Sequence, residues 1–247
     1  MSVPSPLKLQ IERWAAWAPG LATQADWLAW LADPVAPVPA SEDRAPPLAE
    51  MPAMMRRRIE PLGRIALQAA YWAQGEQAST GPVVFASRWG EVARSVEMLQ
   101  QLAAGEALSP TAFSLSVHNA IGALFSIARG DRGNYQAVAA GAHSVEAGFY
   151  EAAGLIAAGA ERVLLVAFEA PLPAPYAELV DDNSEDFPRA FALMLTRAAG
   201  VGGISLQGAA PTTDAAVRAD LAALRFLLGT AAEHRAGRWH WRRHHVA

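Results

Sequence analysis

The chain contains no cysteine. That absence excludes disulfides, thiolate metal sites and any thiol nucleophile. A net positive charge is also missing, since 20 Lys and Arg stand against 24 Asp and Glu, a formal net charge of -4. Such a chain has no overall basic field to gather phosphates, so nucleic acid is not an expected partner. No segment approaches the ~18 uninterrupted apolar residues that span a bilayer, and MSVPSPLKLQ has no basic region followed by an apolar stretch. No membrane span and a cytoplasmic location are expected. Phosphate and metal signatures are lacking too. Gly200-Val201-Gly202-Gly203 has neither GxGxxG spacing nor a following helix start. Asp181-Asp182-Asn183-Ser184-Glu185-Asp186 has no glycine at the sixth loop position, which leaves it a solvated acidic loop. No cofactor and no metal are expected.

What is present is apolar: 52% of 247 residues, enough to bury a substantial core. We expect one domain over 1–247, with a core from about 7 to 197 and with 198–247 as a C-terminal extension and tail. Leu7, Leu9 and Ile11 alternate with Lys8, Gln10 and Glu12, the period of a half-buried strand. Ala25 to Ala32 reads as a short helix carrying Trp27 and Trp30, and the proline-rich stretch from Asp33 to Pro47 as a surface excursion. Pro61 suits a helix first turn, followed by Leu62, Ile65, Leu67 and Trp72. Strands at Val83 to Ala86, Tyr135 to Ala139 and Val163 to Phe168 alternate with helices at Glu91 to Ala103, Asn119 to Ala128 and Ser144 to Ala158. Ala190 to Leu195 adds a strand and Ala215 to Leu228 a helix. The expected class is α/β, a mixed, mostly parallel sheet with helices packed on it.

The middle of the chain carries a more specific signal. Ser109-Pro110-Thr111-Ala112-Phe113-Ser114-Leu115-Ser116-Val117-His118-Asn119 is followed by Gly122, Ile127, Gly130 and Gly133. Then come the strand Gln136 to Ala140 and Ala142-His143-Ser144 at a sharp strand-to-helix turn. This run resembles the segment leading to the nucleophile of the β-ketoacyl synthases, the thiolase-like condensing enzymes. Beyond the turn, Ala147, Ala152, Ile156, Gly159-Ala160-Glu161, Val163-Leu164-Leu165 and Glu169 keep the family's spacing. In an active member the turn carries a cysteine whose pKa a helix N-terminus lowers, so that the thiolate takes an acyl chain from a carrier protein. Here that position is Ala142. The 78 residues after Glu169 contain no Asn-x-x-Gly-Phe-Gly-Gly-like loop, so the family's two catalytic histidines are not assigned to His234, His240, His244 or His245.

A vacated nucleophile on a ketosynthase-like half resembles the short chain-length-factor type proteins of aryl polyene synthesis. The resemblance implies a noncatalytic subunit of a type II polyketide or fatty-acid-like pathway. It would pair with a full-length β-ketoacyl synthase as a heterodimer and shape that enzyme's acyl tunnel. Gln136, Val138 and Ala140 would then lie at the interface, with Phe113, Leu115, Val117, His118 and Asn119 toward the partner's tunnel. Arg56, Arg57, Arg58 and Arg88 are candidates for docking an acyl carrier protein, against their reading as a solvated basic face. His118-Asn119 also reads as a satisfied polar pair at a helix start. Two further classes stay open. One is a serine acyltransferase or hydrolase using Ser144 with His143, against which Ser144 reads as a helix cap and Glu146 as a charge suited to the helix dipole. The other is a homodimeric carrier-protein adaptor. The Trp239 and Trp241 stretch, interleaved with Arg and His, reads as a docked or disordered tail.

Overall fold

Strand β1, Leu9–Trp17, begins on the alternation seen in the sequence and ends with Ala15, Ala16 and Trp17 all buried. Helix α1, Gln24–Ala32, starts at a capping box: the Thr23 hydroxyl accepts from the Asp26 N–H, and the Asp26 carboxylate accepts from the Thr23 N–H. In this computed structural model the described residues are 6–35, 45–75, 81–174, 176–179, 186–200, 202–212 and 218–244. Residues 36–44 of the proline-rich excursion, 181–185 of the acidic loop and His245 lie outside them.

A short turn of helix α2, Ala53–Arg56, leads to α3, Pro61–Gln74, which has proline in its first turn as expected. Then follow β2 (Val83–Ala86), α4 (Val92–Ala103), α5 (Pro110–Ser114), α6 (Ala120–Arg129), β3 (Tyr135–Val138), α7 (Ser144–Ala157) and β4 (Arg162–Glu169). The chain continues through β5 (Arg189–Arg197), β6 (Gly203–Gly208), α8 (Ala219–Leu228), β7 (Glu233–Ala236) and β8 (Trp239–His244).

The eight strands of the described residues form one sheet in the order β3-β2-β4-β5-β1-β6-β8-β7. Only β2 with β3 and β2 with β4 pair in parallel; β4–β5, β5–β1, β1–β6, β6–β8 and β8–β7 are antiparallel. The α/β class therefore stands, but the expected mostly parallel sheet does not. Helices cross over between β2 and β3 and between β3 and β4, which makes that part parallel. Beyond it β5 returns against β4, and β7 and β8 meet in a hairpin.

Helices cover both faces, so the central strands are buried on each side and alternate between two clusters. Val163, Leu165 and Ala167 of β4 join Phe191, Leu193 and Leu195 of β5 beneath α1, α7 and α8. Leu164, Val166 and Phe168 join Ala190, Ala192 and Met194 beneath α3 and α6. Each fully buried valine, leucine, phenylalanine or methionine side chain among these contributes about 1.5–3 kcal/mol relative to exposure. The stretch expected to be a tail is instead β8, with Trp241 wholly buried in the first cluster. Its tryptophans alternate with histidine and arginine at the period of a strand whose inner face is apolar.

One buried ion pair ties α8 to the sheet. Arg189 donates from Nε and Nη2 to both oxygens of Asp220, at 2.7 and 2.9 Å, and also contacts Asp186. Coulombic attraction to Asp220 and Asp186 overcomes the burial that would lower its pKa, and the guanidinium stays charged.

Candidate functional site

The elbow between β3 and α7 is built by three local features. Gly141 sits at φ +60°, a left-handed conformation that reverses the chain with no Cβ penalty. Ser144, 3% exposed, locks the turn from within: its hydroxyl donates to the Gly141 carbonyl at 2.8 Å and accepts from the Ala140 N–H at 3.0 Å. His143 is the residue from which α7 departs. Ser144 thus closes the turn behind it, and the expected helix-capping bond to the N–H groups ahead is not made. Both the proton and a lone pair of the hydroxyl are engaged, in a buried position, which leaves it poorly placed as a nucleophile.

Ala142 occupies the apex of this elbow, and Ala139, Ala140, Gly141 and Ala142 are all exposed. Beneath the apex lies an acid. Glu146, in the first turn of α7, is fully buried, and burial pushes its carboxyl up to about 7. The Trp241 indole N–H donates to Glu146 Oε1 at 3.4 Å. His143 Nδ1 lies 3.8 Å from Glu146 Oε2, and neither atom has a hydrogen-bond partner. Burial also pulls the imidazole below its ordinary value. Both groups are driven toward their neutral forms, so they do not make a stable ion pair.

The Phe113–Asn119 segment lies beside the C-terminal end of β2. His118 Nε2 is 3.0 Å from the Ser87 carbonyl oxygen, and Ser87 N–H donates to the Val138 carbonyl, which joins the ends of β2 and β3. His118 is therefore a satisfied polar group, as its second reading expects, while Asn119 is exposed and makes no side-chain cap bond. Phe113 is 64% exposed, Val117 is exposed and Leu115 is partly buried. Leu99 and Leu102 on α4 and Ile127 on α6 add further uncovered apolar surface. Strand β3 is the terminal strand of the sheet, paired with β2 alone, and Gln136 Oε1 on it is buried without a partner.

The arginines do not act as one group. Arg56 is bound to the Leu48 carbonyl at 3.2 Å. Arg88 stacks over the Trp89 ring at 4.4 Å, while its backbone N–H donates to Glu169, whose carboxyl burial pushes up to about 8. Arg57 and Arg58 are exposed. The sequence does not mark the burial of Glu91, which raises its carboxyl to about 7. The signal for Glu91 was its place at the start of α4 beside the close approach of Gly63, which only three-dimensional packing reveals.

The described histidines each sit in a separate contact. His118 binds Ser87, His143 packs on Gly237, His234 stacks on Phe226, His240 meets Glu233 at 3.1 Å and His244 meets Ser205 at 2.9 Å. Among the described residues no group of three or more His, Cys, Asp or Glu side chains is arranged to hold a metal ion. No helix among them is long and apolar enough to cross a membrane.

Comparison with solved structures places the fold. Over 96% of its length the chain is similar, at 32% identity and a TM-score of 0.77, to a chain of the Xenorhabdus doucetiae ketosynthase (ApeO) in complex with its chain length factor (ApeC), and it covers 100% of that chain. It is also similar in fold to the ishigamide ketosynthase/chain length factor, at 17% identity and a TM-score of 0.62, over 81% of this chain and 67% of that one. A β-ketoacyl synthase from Burkholderia phymatum matches at 16% identity and a TM-score of 0.59, over 82% and 64%. No curated protein matches. The family model described as the N-terminal domain of β-ketoacyl synthase matches residues 27–243, and the chain belongs to that family.

Proposed function

We propose that this chain is a noncatalytic chain length factor that pairs with a full-length β-ketoacyl synthase and shapes the acyl tunnel of that enzyme. The observation that carries the reading is Ala142. The elbow is complete, with a strand, a left-handed glycine and a helix N-terminus, yet the side chain at its apex is a methyl group. A methyl group cannot form a thioester, and the chain has no cysteine to take its place. The similarity to a chain of a ketosynthase and chain length factor complex, over nearly the whole length, supports the same reading.

The partner would cover the free edge of β3, with Gln136, Val138 and Ala140, by adding to the exposed strand. Phe113, Leu115 and Val117 would then limit how far an acyl chain extends, with His118 and Asn119 beside them. Arg57 and Arg58 are the arginines still free to meet an acidic carrier protein, since Arg56 and Arg88 already make contacts within the chain.

The test is co-expression with the full-length ketosynthase of the same cell, sizing with mass determination, and an elongation assay on carrier-bound substrate. A one-to-one complex whose product length changes with Phe113→Ala or Leu115→Ala is the expected result. No complex, together with turnover that depends on Ser144, would overturn the proposal in favour of a serine enzyme.

A further inference from the structure

Resting on that reading, we infer that the β7–β8 hairpin is the element that positions the Ala140–Ala142 elbow. Its contacts are Gly237 with His143 and Trp241 with Glu146 and Phe149, and through them it tunes the acyl length that the pair admits. The elbow is exposed on its outer side and follows β3, one terminal strand of the sheet. The hairpin contains β7, the other terminal strand. The hairpin meets the elbow through the start of α7, where Gly237 lies against His143 and Trp241 against Glu146 and Phe149.

Three contacts converge there on the residues just after Ala142. The Trp241 ring meets Phe149 edge-to-face with centroids 4.7 Å apart. Its N–H reaches the buried Glu146 carboxyl, also on α7. Gly237, at φ +56°, lies against the His143 ring, where a Cβ would come within 2.8 Å of Cε1. Glycine is required at 237 twice over, for its backbone conformation and for the imidazole. Because His143 directly follows Ala142, anything that displaces the ring moves the apex of the elbow. The elbow is also anchored at its two ends, by β3 paired with β2 and by α7 packed on the sheet, and the two Ser144 hydrogen bonds tie its own residues together; the hairpin adds the contact at His143, next to the apex.

The test is Gly237→Ala in the complex with the full-length ketosynthase, followed by amide hydrogen exchange and product analysis. Exchange at residues 139–143 is expected to quicken roughly tenfold while β4 and β5 stay protected, as for a local opening. The product distribution is expected to shift by an elongation unit with the one-to-one complex intact. Adding His143→Ala removes the ring that the introduced methyl group would strike, and is expected to restore both readouts. Should Gly237→Ala prevent folding, Trp241→Phe keeps the ring packing and removes the N–H donor, and the same readouts apply.

Unchanged exchange at the elbow, or exchange that rises uniformly through the sheet, overturns the positioning role and leaves the hairpin a merely structural element. The control is Phe113→Ala. If it shifts product length and Gly237→Ala does not, the tuning role fails while the chain-length reading stands. If neither shifts it, the chain-length reading itself fails.

Discussion

At the scale of single residues, the elbow separates scaffold from chemistry. Ala142→Cys would put a thiol on an exposed apex at a helix N-terminus, where the dipole favours a thiolate. We expect iodoacetamide to alkylate it, as read by mass spectrometry, and we expect no condensation, because no histidine of this chain is matched to the family's two catalytic ones. Ser144→Ala removes the two hydrogen bonds to the Ala140 N–H and the Gly141 carbonyl, a loss of about 1–3 kcal/mol at about 0.5–1.5 kcal/mol each. Denaturant unfolding checks it. A folded Ser144→Ala variant that keeps its effect on product length speaks against serine chemistry. Glu146 gives a pH signature of definite sign. Its carboxyl has an ordinary value of 4.5 and burial raises it to about 7, so the folded state holds a proton that the unfolded state releases above pH 4.5. Stability therefore falls as pH climbs from about 4.5 to about 7, and the full cost, about 3 kcal/mol, applies above that range. Glu146→Gln should raise stability at pH 8 by an amount of that order, change little at pH 4, and flatten the slope between. Thermal unfolding across pH 4 to 8 reads all three.

Among the elements, α4 carries an apolar stripe that its own fold covers only in part. Val96 and Met98 are buried, whereas Leu99 and Leu102 are exposed. Replacing both leucines with glutamate should leave the isolated chain within about 0.5 kcal/mol of the parent, as surface changes do. If a partner covers this face, the same pair should weaken the complex, which calorimetric titration against the ketosynthase would read. How far the elements were legible follows from what sequence period encodes. The strands β2, β3 and β4 and the helices α4, α6 and α7 fall within a few residues of expectation, because unbroken apolar runs and a period of 3.6 are local signals; the short helix α5 is not among those expected. Strand direction is not local. Nothing within Arg189–Arg197 says that it runs against β4, so the parallel-rich expectation failed there. Strand β6 is not marked in the sequence, because it starts at the end of the glycine-rich run 200–203 and is only six residues long. In β8 the period of two was present in Trp239, Trp241 and Arg243 against His240, Arg242 and His244, but the charges made it look like a tail. At the site, the residues of the elbow were legible from the family run. The inward role of Ser144 and the protonation of Glu146 depend on burial, which no spacing records.

For the molecule as a whole, the question is whether the C-terminal hairpin is an appendage or part of the core. Trp241 lies in the same cluster as Phe149, Leu206 and Phe226, and its indole supplies the hydrogen bond seen at Glu146. Arg243 donates through Nη2 to the carbonyls of Phe226 and Leu227, at 2.5 and 3.3 Å, satisfying acceptors at the end of α8 that the helix itself cannot. Strand β8 also pairs along all of β6. Removing the hairpin would uncover a strand edge, leave those carbonyls bare and empty a tryptophan-sized space beside α7. Trp241→Ala alone should cost about 3–5 kcal/mol, a large part of the stability of a domain. A chain ended at Gly229 should therefore lose the cooperative thermal transition and the near-ultraviolet circular dichroism of packed aromatics. Arg235→Ala and Arg242→Ala, whose side chains are solvent-facing, should change neither. A true tail would give the opposite pattern, with the truncated chain melting like the parent. The outcome decides whether the hairpin behind α7 and the elbow at Ala142 is part of the core or an appendage to it.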